Sequence, residues 1–354
     1  MKLEDIARES RATHKGDKSG VPIVGLEHLV PQEIKFTGYD VDTENTFTKA
    51  FKKGQILFGR RRAYLKKAAI ADFDGICSGD ITVIEAIPGK VEPLLLPFII
   101  QNDKFFDYAV SRSAGGLSPR VKWEHLKDYE LDLPPIDEQR ILADKLWAAY
   151  RLKESYKKLL TATQEMVKSQ FIEMFSSVPK VDINCMVDTI WGSSPDSKTY
   201  NDNGEGVPFY QGKTEFGDIY INEASTFCTA PIRMAKQHAI LMSVRAPVGA
   251  VNIATQDCCI GRGLASITPK VGKSITMFVF YALKYMEDEI ERLGTGSTFK
   301  AINKDSYAKI QMPDVDIEKQ IEFVKIAEQA DKSEFELRKS IDAIDQVIKS
   351  LINN

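Results

Sequence analysis

Between residues 52 and 67 stand seven cations, Lys52, Lys53, Arg60, Arg61, Arg62, Lys66 and Lys67, and no acid. Groups at that density can neutralise phosphates, and a guanidinium can also grip the paired acceptors of a guanine edge with two parallel bonds. A solvated basic surface is the plainer alternative. Arg245 occupies the corresponding place in the second half of the chain. Two turns add to the set: Gly115-Gly116-Leu117-Ser118 with Arg120 close behind, and Gly296-Ser297-Thr298 with Lys300 close behind. Backbone amides in such turns can cradle a phosphate, although a tight turn needed only for folding would read the same way. Lys122, Gln211 and Lys213 are weaker candidates, and the aromatic-rich stretch Tyr200–Phe216 could touch bases or merely cover a core edge.

No catalytic constellation accompanies these residues. Gly272-Lys273-Ser274 has the ending of a P-loop, but Ile267 stands where the first glycine belongs. A dinucleotide-type glycine turn, a G-x-S-x-G elbow and a His-Glu-x-x-His helix are all missing. His14, His28, His125 and His238 are scattered, and zinc would need them clustered with Cys. Asp137 and Asp316, at the starts of helical patterns, read as capping or first-turn acids. Five Cys in 354 residues do not make a disulfide scaffold. MKLEDIARES is too polar for a signal peptide, and no apolar run is long enough to span a bilayer, so a cytoplasmic location is expected. The net charge of −3 counts against unaided work on nucleic acid, but it is uneven. Residues 1–135 carry 20 basic and 20 acidic side chains, whereas 314–354 carry 6 and 10.

The elements that must position the cations occur twice. Leu133-Pro134-Pro135-Ile136-Asp137-Glu138-Gln139 opens one long amphipathic pattern, and Met312-Pro313-Asp314-Val315-Asp316-Ile317-Glu318-Lys319-Gln320 opens another. Upstream, Leu3–Ile6 matches Ile183–Met186, Val21–Ile23 matches Val207–Phe209, and Ile56–Arg60 matches Ile240–Arg245. Ile76–Gly79 matches Cys258–Gly261 with a short offset, and the two glycine turns follow in the same order. A common order at a common spacing signals duplication. Alternation and β-branched content predict strands over 54–58, 75–85 and 129–133, then 239–244, 262–268 and 309–312. Helices are expected at 93–110 and 275–292.

Apolar residues recur every three or four positions from Ile141 to Phe175 and from Ile321 to Leu351, with no Gly or Pro inside 137–175 or 317–354. Stripes of that length fit two helices packed along each other. At ~1.5 Å per residue each would reach roughly 55 Å, beside about 34 Å for one turn of B-DNA. Trp147, Tyr150 and Tyr156 either face a partner subunit or sit in the helix seam.

The duplicated α/β halves, each closed by the LPP-x-x-EQ type of phrase and a long helix, resemble the DNA specificity subunit of type I restriction-modification systems over essentially the whole chain. The resemblance implies an α/β fold of two similar mixed α/β target recognition domains separated by two long helices forming an antiparallel coiled coil. It implies a first recognition domain at 1–135, a central spacer helix at 136–178, a second recognition domain at 179–314 and a C-terminal spacer helix at 315–354. It further implies a non-catalytic subunit that reads a bipartite site in double-stranded DNA and docks two modification (methyltransferase) subunits. Those partners would bind S-adenosylmethionine and methylate adenine, and motor-nuclease restriction subunits would complete the complex. This chain itself would hold no cofactor or metal. The residues alone leave two rivals open, a coiled-coil scaffold whose two heads bind protein and an enzyme that transfers methyl groups without a partner.

Overall fold

The computed structural model describes residues 1–36, 38–295 and 300–353. They form two compact units: Met1–Lys157 with Lys339–Asn354, and Lys158–Arg338. Each unit contains one α/β head and a part of both long helices.

The two heads are built to one plan. In the first, an antiparallel sheet runs in the order Ala7–Glu9, Ile81–Ala86, Ile56–Gly59, Ala68–Ile70. In the second, the order is Val187–Trp191, Leu264–Pro269, Ile240–Ser243, Val251–Ile253. Ile56–Gly59 and Ile240–Ser243 are buried on both faces, which is why their apolar content is continuous and not alternating. A smaller sheet also repeats. Ile23–Val24 lies parallel to Gly75–Cys77, which takes Lys49–Phe51 on its other side. Val207–Tyr210 lies parallel to Cys258–Ile260, which takes Met234–Ala235. The registers Ile23↔Ile76 and Phe209↔Cys259 follow the sequence match at Ile23 and Phe209 and depart from it by one residue on the second strand, where Ile76 corresponds to Cys259 and not to Cys258. The second head alone adds Tyr200–Asn201 and Phe227–Cys228 to this sheet.

Several expected elements are broken. The stretch 75–85 is two strands in different sheets, because Ser78 turns the chain: its carbonyl accepts from the Ile81 amide at 3.0 Å and its hydroxyl from the Asp80 amide at 3.2 Å. The helix expected over 93–110 splits into Leu96–Ile100 and Asp103–Ser111, because the Asn102 side chain caps the second piece at the Lys104 amide. The helix over 275–292 likewise divides at Met286, into Thr276–Tyr285 and Glu287–Leu293. No strand forms over 129–133; a single bridge, Lys2↔Glu130, stands there, where the second half pairs Lys180–Asp182 with Gln311–Pro313.

The long helices are Ile136–Phe175 and Ile317–Asn353. In the second unit Phe171 and Phe175 pack on Phe323, with ring centroids 5.3 and 5.6 Å apart, while Gln164 donates to Glu334 at 2.9 Å. Later residues of one helix thus meet earlier residues of the other, an antiparallel pairing. In the first unit Lys153 meets Asp345 at 2.6 Å, and Leu142, Ile348, Leu351 and Ile352 join the core of the first head. Not all of the apolar stripe is used: Leu152, Leu159 and Phe335 remain exposed.

The repeated phrase has a mechanical role. Its two glutamines are buried polar side chains, Gln139 at 4% and Gln320 at 0% exposure. Gln139 accepts from the Glu92 amide at 3.0 Å and donates to the Pro134 carbonyl at 2.9 Å. Gln320 accepts from the Ser274 hydroxyl and the Ile275 amide, and donates to the Lys273 and Val315 carbonyls. Each amide therefore rivets the first turn of a long helix to its own head, satisfying backbone groups that burial would otherwise orphan. Asp316 caps the terminal helix through the Lys319 amide at 2.8 Å.

Candidate nucleic-acid interface

In the first head the inner strand Ile56–Gly59 delivers Arg60 and Arg61 to the end of the sheet, where a second segment of chain meets them. The Val121 amide donates to the Arg60 carbonyl at 3.0 Å, and the Arg62 amide donates to the Pro119 carbonyl at 2.8 Å. Ala114 and Arg120 exchange two backbone bonds of 2.9 Å, which close residues 115–119 into a small lasso. Gly115, at φ +117, makes the bend that an L side chain resists. The Ser118 hydroxyl accepts from Arg61 at 3.2 Å and from Arg62 at 3.5 Å. Arg60, Arg61, Arg62, Gly116, Ser118 and Arg120, separated by up to 60 positions, thus form one surface.

Asp80 organises the cations. Its carboxylate takes Arg120 through two bonds, 2.7 and 3.2 Å, and Arg61 lies 3.7 Å away. The Arg120 hydrogen bond, then the charges of Arg120, Arg60 and Arg61, hold the Asp80 carboxyl below the usual aspartate range. Beside it opens a cleft of about 750 Å³ lined by Arg11, Lys49, Arg60 and Arg120 against Glu9 and Asp80. Arg60 Nε is buried there with no hydrogen-bond partner among the described residues. A half-buried arginine in a cleft with more cations than acids is suited to an anionic or acceptor-rich ligand.

The second head repeats the backbone and changes the chemistry. Arg245 bridges to Ala301 as Arg61 bridges to Arg120, so Arg61, not Arg60, is its counterpart. Thr295 and Ala301 exchange the two bonds, at 2.9 Å each, that Ala114 and Arg120 exchange. The Arg60 amide donates to the Asp80 carbonyl, and the Val244 amide donates to the Gly263 carbonyl in the same way. Where the first head has Arg60, Asp80 and Arg120, the second has Val244, Gly263 and Ala301. A Cβ at Gly263 would stand 2.2 Å from the Gln211 carbonyl oxygen. Polar groups gather nearby: the Ser194 hydroxyl accepts from Gln211 Nε2 at 3.2 Å and from the Arg262 amide at 3.3 Å.

Other sequence candidates go elsewhere. Lys66 is tied to Asp103 at 2.5 Å and Lys67 to the Leu26 carbonyl at 2.7 Å, so both fasten the first head's own loops. Lys300 pairs with Glu291 at 3.3 Å, and Lys213 lies near Glu287. Lys52, Lys53, Lys122 and Arg245 are exposed. Gly296, Ser297 and Thr298 lie outside the described residues. Trp147 and Tyr150 pack against the first head: both are buried, the Trp147 indole donates to the Leu94 carbonyl at 2.8 Å, and the Tyr150 hydroxyl donates to Glu33 at 3.3 Å. Tyr156 is half-buried. Sequence reasoning missed Arg11, Lys49, Asp80, Ser194 and Arg262. Of these, Asp80 falls inside the strand predicted over 75–85 and Arg262 opens the one predicted over 262–268, so neither carried a signal of its own.

Comparison with known proteins agrees with this duplicated architecture. The family described as type I restriction modification DNA specificity domain matches residues 2–162 and again 184–346. The chain is 31% identical, over 99% of its own length and 90% of the other's, to the type I restriction enzyme MjaX specificity subunit of Methanocaldococcus jannaschii. A solved chain from work on complex assembly and conformational transition of the type I R-M system is 26% identical, with a TM-score of 0.64, covering 100% of this chain and 98% of that one. The type I S subunit of M. genitalium, at 14% identity, shares the fold, with a TM-score of 0.60 over 99% of this chain and 94% of that one. With the same domain matched in both halves and a relative similar from end to end, the chain belongs to the DNA specificity subunits of type I restriction-modification systems.

Proposed function

We propose that this non-catalytic recognition subunit reads a bipartite target in duplex DNA, one half-site per head, and leaves the chemistry to partners. The observation that carries the reading is the repeated backbone with unlike side chains: Arg60, Asp80 and Arg120 in one head, Val244, Gly263 and Ala301 in the other. One scaffold thereby presents two different chemical surfaces, as a reader of two unlike half-sites requires. Arg60, Arg61, Arg62, Ser118 and Arg120 are the contacts of the first head. Gln211, Arg245 and Arg262 are those of the second. Two modification subunits docked on the long helices would bring S-adenosylmethionine and methylate adenine, and motor-nuclease subunits would complete the restriction complex. A near-neutral recognition subunit fits that division, since partners share the phosphate grip.

The test is selection of a randomised duplex pool by the chain assembled with its modification subunits. The expected outcome is two enriched base clusters separated by an unread gap. One continuous cluster, or no enrichment, overturns the reading.

A further inference from the structure

Leu117 stands at the tip of the lasso and is 98% exposed. The base of its loop is pinned by hydrogen bonds. The Ala114–Arg120 bonds close the base of the loop, the Arg62 amide holds Pro119, and the arginine side chains hold Ser118. Arg62 itself sits at φ +53 and Lys66 at φ +52, left-handed conformations that a non-glycine residue keeps only when its neighbours fix it. A fully solvated leucine on a braced loop gains nothing within this chain. The groups that surround its base are cations, and the carboxylate among them, Asp80, is already engaged by Arg120. An apolar tip ringed by guanidinium groups matches a duplex, whose phosphates take the charges while an unstacked base step accepts the side chain.

We propose that Leu117 is a wedge that enters a base step of the half-site read by the first head, opening the stack while Arg61, Arg62 and Arg120 grip the flanking backbone. This inference rests on the reading of the arginine surface as a DNA contact. It adds a mode of contact, insertion, that cations alone do not provide. A pinned loop suits the task because a flexible one would fold its leucine back or lose entropy on entry.

The probe is a duplex enriched from the randomised pool by the wild-type assembly, carrying 2-aminopurine at successive positions of each half-site. Binding of the wild type should raise the fluorescence several-fold at one step of one half-site, where the reporter base loses its stacking neighbour. Leu117→Ala should return that signal to the free-duplex level and weaken specific binding about tenfold, with an unchanged salt slope because no cation is lost. Leu117→Met should restore both. Leu117 makes no packing contact that the variant would remove, so the folded chain should melt unchanged. A rise that persists in Leu117→Ala, or no rise at any position with wild type, overturns the wedge alone. Arg61→Ala and Arg120→Ala variants that bind every duplex as wild type does would overturn the underlying contact surface as well. Loss of a modification subunit from the assembly in Leu117→Ala, with unaltered fluorescence, would make the tip a protein contact and also overturn the proposal.

Discussion

Asp80 converts neighbouring cations from a diffuse charge into oriented forks. A free arginine finds any phosphate, whereas a guanidinium held on two sides by a carboxylate offers its remaining donors in one direction. Asp80→Asn should therefore leave binding to random duplex equal or tighter, since a negative charge is removed, while discrimination at one position falls by about 1–3 kcal/mol. Competition titrations with single-base variants of the selected site measure both. Arg120→Ala should cost a similar amount at one position if the residue reads a base, or weaken all sequences alike with a smaller salt slope if it grips phosphate. The clamp also has a pH sense. A carboxyl whose pKa is lowered by folding contributes above its unfolded value, 3.8, and loses that contribution as pH falls through the lowered value. Titration of the Asp80 carboxyl carbon by NMR should give a midpoint below 3.8; a midpoint above it would remove the clamp. At this scale the sequence was half legible. Arg60, Arg61, Ser118 and Arg120 were visible as a cluster of types, but Asp80 is one acid in a turn, with no periodicity to mark it. Lys66 and Lys67 looked equivalent to the arginines, and only the fold reveals that Asp103 and the Leu26 carbonyl already hold them.

At the level of elements, Gln139 and Gln320 explain why the same phrase recurs before each long helix. Gln320 makes four bonds and Gln139 two. Replacing either by Ala orphans buried backbone groups at about 1–3 kcal/mol per group. Urea unfolding should therefore rank Gln320→Ala as the more destabilising change, and equal or negligible losses would remove the rivet. The long helices and the order of the repeat were readable because periodicity over tens of residues averages out local noise. The breaks at Ser78 and Asn102 were not, because each depends on a single capping or turning group inside an apolar run; the break at Met286 has no side-chain cap to mark it. The short edge strands, such as Ile23–Val24 and Met234–Ala235, were missed for a related reason: two residues carry no alternation. Trp147 reads in the sequence as a partner or a seam residue, and Phe98 and the Leu94 carbonyl place it instead against the first head, a third possibility that helical periodicity does not distinguish.

For the molecule as a whole, the two continuous helices are the proposed ruler for the gap. Inserting four residues near Thr161 of the central helix, with four near Phe335 to keep the pairing, should lengthen the unread gap and leave both half-sites unaltered in the pool selection. A shift in the bases read would show that the helices shape the heads and do not merely space them. The duplication was legible in the sequence; the difference between the copies was not, since it lies in which side chain occupies each matched backbone position. That difference bears on how such a chain can change its preferences over time. At Gly263 the Gln211 carbonyl stands where a Cβ would go, so an acid in the place that Asp80 holds in the first lobe requires the Gln211 segment to move as well. Carrying the acid clamp from one lobe to the other is therefore a matter of backbone remodelling around Gln211, not of side-chain exchange alone.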